Sequence, residues 1–272
     1  MHEELRHFLL IVEEGTFTRA ARRAHLSQPA LSASIRRLED RVGARLLDRG
    51  RHGAEATAAG RAFLPSARQT VAAFEDGIRA VAEIEGLGQG EVRVGAGATA
   101  ATFLLPKILS GFRKKHPNLR YLLREGYAQE IRQQVEQGEL DIGIITGEGD
   151  EPWYRDELVI VASSKIDPCN AGFVTFPEGS ATRALMHEKL GEVPIVMELA
   201  GIGAVKGNVR AGMGKALMSR AAVKAELASG RFVEIPHPKT PIRRTLSLVH
   251  RGLSRMPPAA AALREDLLAR RR

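Results

Sequence analysis

The chain of 272 residues contains a single cysteine, Cys169. That excludes an internal disulfide framework and any zinc site built from several thiolates, and it leaves a redox-sensing thiol without a resolving partner in the chain. No apolar run approaches the roughly 18 residues of a membrane span. The opening residues, MHEELRHF, carry acids where a secretory signal would be basic and then apolar. A soluble, cytoplasmic protein is the expectation. Catalytic signatures are missing too: there is no G-x-S-x-G elbow, H-E-x-x-H, Walker A loop or Cys–His pair. Eight histidines, at 2, 7, 25, 52, 116, 187, 237 and 250, lack ligand spacing. No enzyme activity, metal or bound cofactor is expected.

What is present is basic. The formal net charge is +8 with a sequence pI near 10.0, which favours a polyanionic partner. At 44% hydrophobic residues the chain is ordinary for a globular protein and long enough for two or three small cores. The charge is concentrated early, with nine arginines against three acids between Thr16 and His52. Such a surplus neutralises phosphates and releases counterions.

The same stretch, GTFTRAARRAHLSQPALSASIRRLEDRVGARLLDR, reads as two short helices with a tight turn between them. Thr16–Ala24 puts Phe17, Ala20 and Ala21 on one face; the second helix starts at Gln28–Pro29 and carries Leu31, Ile35, Leu38 and Val42. His25-Leu26-Ser27 supplies a buried Leu and an N-cap Ser, and Pro29 falls in the first turn, where its missing N–H costs nothing. This is the helix-turn-helix arrangement, whose second helix lies in the DNA major groove. A wing follows: Arg45–Asp48, a turn through Gly50 to Gly53, and a return over Ala54–Thr57.

The motif resembles the N-terminal winged helix-turn-helix of the LysR-type transcriptional regulators. It shares Thr before Ala-Ala, Leu-Ser-Gln-Pro-Ala-Leu-Ser, Ile-Arg-Arg-Leu-Glu and Leu-Leu-Asp-Arg with that family. The chain departs from it at Ala33, where Arg is usual, and at Ala56, where Leu usually precedes Thr57 and packs the wing. On this reading Gln28, Pro29, Ser32 and Ser34 meet base edges, while Thr18, Arg36, Arg37, Arg49 and Arg51 grip phosphates.

A long helix over Ala58–Glu85 comes next, with apolar residues at Leu64, Ala67, Val71, Phe74, Ile78 and Val81. That heptad spacing predicts pairing with a second copy: a homodimer, with a homotetramer left open. Two recognition helices would then address half-sites one helical turn apart. The division expected is 1–57 for DNA binding, 58–90 for linker and dimerisation, and 91–272 for an effector domain. After the linker, alternating strands and helices predict a parallel α/β sheet. The resemblance implies a two-lobed, periplasmic-binding-protein-like fold, with one lobe over 91–161 and 243–272 and the other over 162–242. The run Ser163–Gly172 is shorter than the family's usual loop, which implies a more open cleft.

The cleft implied by the resemblance would hold a small effector. Ala98, Thr99 and Thr102 open one helix, Ser180, Thr182 and Arg183 open another, and Thr146 ends a strand. Amide donors and hydroxyls at helix N-termini favour an anion. Two other readings stand beside this one. Gly95, Gly97 and Ala100, with Glu125 ending the next strand, match a dinucleotide fingerprint and fit a nicotinamide-dependent sensor or enzyme. Alternatively, the C-terminal domain only oligomerises.

Overall fold

The computed structural model describes residues 1–50, 53–84, 90–168 and 170–270; for Arg49, Glu83 and Ile84 only the backbone is described. Arg51 and Cys169, both singled out in the sequence, lie outside the described residues. Helix α1 (His2–Glu14) buries Leu5, Phe8 and Ile11 and stops at Gly15, whose φ of 70° forms the left-handed cap. Helix α2 (Phe17–Arg23) starts on Thr16, whose Oγ1 accepts from the Arg19 amide at 3.2 Å. Helix α3 (Gln28–Val42) starts on Ser27, whose Oγ accepts from the Ala30 amide at 3.3 Å. The turn before it passes through His25 at φ 55°. Two local expectations fail. Leu26 is exposed, because its amide is drawn back to the Ala21 carbonyl and its side chain is left outside. Val42 is exposed as well, since the last turn of α3 runs past the core.

Strands β1 (Leu47–Gly50) and β2 (Gly53–Ala56) form the antiparallel wing, with Gly50 opposite Gly53. Leu46, Leu47 and Ala54 are buried in the N-terminal core, so the wing is seated despite Ala56. Helix α4 (Ala58–Ile84) then leaves this unit. Its apolar seam is divided. Ala67 and Val71 are buried in the chain's own N-terminal core, with Leu64 packed against it, while Phe74, Ile78 and Val81 are exposed. The first half of the seam is thus largely taken up by the chain's own core, where α1 and its neighbours cover it.

The remaining chain runs β3 (Glu91–Ala96), a π-turn over Ala100–Leu104, α5 (Leu105–Lys115), β4 (Arg120–Glu125), α6 (Ala128–Glu136), β5 (Ile142–Thr146) and β6 (Glu151–Ser163). It continues through β7 (Phe173–Thr175), α7 (Ala181–Leu190), β8 (Ile195–Glu198), α8 (Ile202–Arg210), β9 (Lys215–Ser219), α9 (Arg220–Ala228), β10 (Phe232–Glu234), β11 (Ile242–Val249) and α10 (Pro258–Ala269). The sheet order is β4-β3-β5-β11-β6-β9-β7-β8, with β10 paired to β6. Both ends are parallel, as alternation predicts. The centre is not: β11 is antiparallel to β5 and β6, and β6 is antiparallel to β9. The reason is topological, since β6 carries the chain out of one half and β11 brings it back. Each half keeps its own core, one around Val94, Phe112, Ile142 and Leu263, the other around Val161, Val174, Val205 and Val223. The β6–β11 pair is the hinge between two lobes.

Helix α4 is tied to the first lobe by charge. Arg79 pairs with Asp76 on its own helix and reaches Asp141 at 2.8 Å; Arg93 reaches Asp141 at 2.9 Å, and Arg251 pairs with Asp76. Burial alone would raise the Asp141 carboxyl, but hydrogen bonds from Arg79 and Arg93 outweigh it and hold the group below its ordinary value.

Candidate nucleic-acid interface and ligand cleft

Helix α3 turns Gln28, Pro29, Ala30, Arg36, Arg37 and Asp40 to solvent, with Ala33 half-buried among them. Thr18 on α2 is exposed beside this face. Ser32 and Ser34 are not on it. Both lie on the inner side of α3, at 5% and 2% exposure, and the Ser34 hydroxyl is 2.7 Å from His7 Nδ1 on α1. Their assignment to base edges is corrected accordingly: Ser34 fixes the helix to the core. Burial lowers the affinity of His7 for a proton, in keeping with a neutral ring at this contact.

The arginines divide into two groups. Arg19 and Arg23 pair with Glu14, at 3.1 and 2.7 Å, and Arg37 Nε donates to Glu4 at 3.1 Å. Arg22, Arg36 and Arg41 are exposed and make no ion pair among the described residues. Arg36 is thus a free cation on the outward face of the recognition helix, while Arg37 braces that helix against α1. The wing is set by Glu39, whose carboxylate accepts from the Leu46 amide at 2.7 Å and the Leu47 amide at 3.2 Å. Only a chain fold that returns the wing to the end of α3 reveals this role.

Between the lobes lies a cavity of about 320 Å³. Ala98, Thr99, Thr146, Ser180 and Thr182 all line it. Thr102 and Arg183 do not: the wide π-turn carries Thr102 to the exposed outer side, and Arg183 sits past the Ser180 cap, its amide bound to Ser180 Oγ at 3.1 Å. Tyr127, Phe176, Pro177 and Ile202 add apolar wall, and Glu125 and Glu130 stand among the lining carboxylates.

The residue that sequence reasoning missed is Arg244, on β11. Its side chain is buried, and Nε donates to Asp156 Oδ2 at 2.8 Å. Its two terminal nitrogens reach Thr182 Oγ1 at 3.1 Å in one lobe and Thr99 Oγ1 at 3.0 Å in the other. Asp156 is satisfied further by the Ser219 hydroxyl at 2.7 Å. A hydroxyl that accepts from a guanidinium keeps its own proton for another partner. Each threonine therefore keeps a proton to donate, beside a guanidinium whose charge Asp156 balances. No motif surrounds Arg244, so the sequence offered no signal. The glycine fingerprint has a packing explanation instead: a Cβ on Gly95 would meet Leu140 at 2.4 Å. Close packing against Leu140 and Ile131 beneath β3 thus gives a small residue at 95 a structural reason.

Residues 2–61 match the family described as "Bacterial regulatory helix-turn-helix protein, lysR family", and residues 85–272 match "LysR substrate binding domain". The chain is 30% identical to a probable RuBisCO transcriptional regulator of Nostoc sp., over 98% of its own length and 87% of that protein. A protein of the same description from Cyanidioschyzon merolae is also 30% identical, over 90% of this chain and 89% of that one. Among solved structures, a full-length OxyR variant of Pseudomonas aeruginosa superposes with a TM-score of 0.74 at 22% identity, over 98% of this chain and 94% of that one. CbnR complexed with its target DNA gives 0.66 at 21%, over 98% of both chains. Two family matches that together span nearly the whole chain, on a fold with an exposed recognition helix, lead to one conclusion: this protein belongs to the LysR family of DNA-binding transcriptional regulators and is not an enzyme.

Proposed function

We propose that this regulator changes its engagement of DNA when a small organic molecule bearing a carboxylate or phosphate enters the cleft between its lobes. The observation that carries the reading is Arg244, which holds Thr99 and Thr182, one from each wall, with both hydroxyl protons free for an anionic group. Thr146 and the Ser180 hydroxyl complete the polar lining. Glu125 and Glu130 limit the total negative charge the site accepts, which favours a monoanion or a molecule with a cationic end over a polyanion. Such a ligand would shift the lobe arrangement by binding one state more tightly than another.

DNA would be read by a dimer. Phe74, Ile78 and Val81 form an exposed apolar strip on α4, the part of the seam least covered by the chain's own packing, with only His2 against the Phe74 ring at 4.4 Å among the ring contacts of the described residues. A panel of monocarboxylates, amino acids and phosphomonoesters tests the cleft by thermal shift and by gel shift on DNA flanking the protein's own gene. A ligand at a hundred times its Kd should stabilise the protein by about 2.7 kcal/mol. Thr182→Val should abolish that response and spare DNA binding without ligand. A panel that leaves both melting and DNA mobility unchanged would favour a C-terminal domain that only oligomerises.

A further inference from the structure

The surplus positive charge does not end at the DNA-binding unit. Along the β6–β11 pair, a second hollow of about 1310 Å³ opens between the two lobes. The two hollows share one lining residue, Arg244, whose guanidinium Asp156 already holds; otherwise the cleft takes Leu246 from β11 and this groove takes Arg243 and Thr245. Besides the shared Arg244, six cations converge on it from both lobes and from the hinge: Lys107, Arg155, Lys224, Arg243 and Arg270, all exposed, and the half-buried Arg220.

Acids reach three of them: Glu234 holds Arg220 at 2.8 Å, Glu157 lies 3.9 Å from Arg243, and Asp266 holds Arg270 at 3.0 Å. Asp156 is already held by Arg244 and Ser219, and Glu157 by Arg220 at 3.1 Å. Lys107 on α5, Arg155 on β6 and Lys224 on α9 make no ion pair among the described residues. The groove is also apolar on one side, through Phe103, Leu104, Ile108 and Leu227. Like charges gathered in a concavity raise the local potential and repel one another until an anion neutralises them. The cleft, by comparison, sets Glu125 and Glu130 beside a single arginine that Asp156 already pairs.

We propose that this groove is a second ligand site, distinct from the cleft, for a small organic polyanion that also carries an apolar or aromatic part, of the kind represented by a nucleoside polyphosphate. Lys107 and Lys224 grip it from opposite lobes, and Arg155 holds it from the floor. The hollow is open and large enough to admit a nucleotide-sized molecule with its hydration.

The test is titration calorimetry of the full-length protein with ATP, inorganic tripolyphosphate and, at matched ionic strength, sodium chloride. ATP should bind more tightly than tripolyphosphate, because only ATP covers the apolar wall. Lys107→Glu with Lys224→Glu should weaken ATP by about tenfold or more, the loss of two charge-assisted contacts. Arg155→Ala alone should weaken it in the same sense, which keeps the test valid if the double variant misfolds. Arg36→Ala, in the DNA-binding unit, should leave ATP affinity unchanged. Retained binding in the groove variants, loss in Arg36→Ala, or no heat beyond that of sodium chloride would each overturn the proposal. So would a fall of the double variant to a smaller species in sedimentation, since a second copy of the chain would then be what covers the groove. Thr182→Val, which disables the cleft, should leave ATP binding intact, so this proposal and the cleft reading fail independently.

Discussion

The exposed side chains of α3 differ in what else holds them. Gln28 sits in the first turn of α3 with no part in the core, while Ser34, six residues on, is sealed against His7. Arg36 carries a charge that nothing in the described chain neutralises, whereas Arg37 already spends part of its donor set on Glu4. Gln28→Ala should therefore flatten discrimination between operator variants, at about 1–3 kcal/mol for the base it contacts. Arg36→Ala should weaken all sequences alike and reduce the salt slope by about 1. Competition gel shifts at two salt concentrations separate the two outcomes; equal loss of specificity from both would reject the division.

At the scale of elements, two pieces of geometry depend on one part reaching another. The wing hangs on α3 through Glu39, which satisfies two amide donors at the start of β1. Glu39→Ala leaves those donors without their carboxylate, at about 1–3 kcal/mol, and frees the wing. The expected result is a lower melting temperature for the N-terminal unit and weaker binding to every DNA sequence. An unchanged melting curve would show that Leu46 and Leu47 seat the wing alone. Helix α4 poses the complementary question. Its first half is largely taken up by the N-terminal core, so self-association through it would rest on Phe74, Ile78 and Val81. Phe74→Ser with Ile78→Ser should yield monomers in sedimentation velocity, and a surviving dimer would place the interface elsewhere.

For the whole molecule, the proposed response to a ligand would have to pass through the junction between α4 and the first lobe. Asp141 is fully enclosed there between Arg79 and Arg93, with Asp76 held by Arg79 and Arg251. The helix that carries the DNA-binding unit is thus clamped to the lobe that forms one wall of the cleft, and a change in lobe arrangement has a direct mechanical route to it. Removing one member of a buried charge network is costly, so Asp141→Ala should destabilise the protein by about 3–5 kcal/mol at neutral pH. The carboxyl is held below its ordinary value, so the unfolded chain takes up the proton first. The contribution of Asp141 is then complete above its unfolded value of about 4 and is lost as pH falls through the lower, folded value. Denaturant unfolding across pH 3 to 7 should show this acid-side loss in the wild type and not in Asp141→Ala.

How far the sequence could be read follows from the range of the interactions involved. The helix-turn-helix, the wing and α4 were legible because caps, heptad spacing and hairpin glycines act within a few residues: Ser27, Pro29 and Gly50 do their work next to where they stand. Alternation likewise marked most strands. What could not be read is where each element packs. Ser32 and Ser34 look like a polar helix face until α1 covers it, and the seam of α4 looks continuous until the N-terminal core takes Ala67 and Val71. Arg244 shows the limit most sharply, since its partners Thr99, Asp156 and Thr182 lie 145, 88 and 62 positions away. The sequence by itself determined the elements and the family, through local propensity and short motifs. Only the tertiary structure decided which side chains face DNA, cleft or core, because burial is a property of the neighbours that long-range packing brings in.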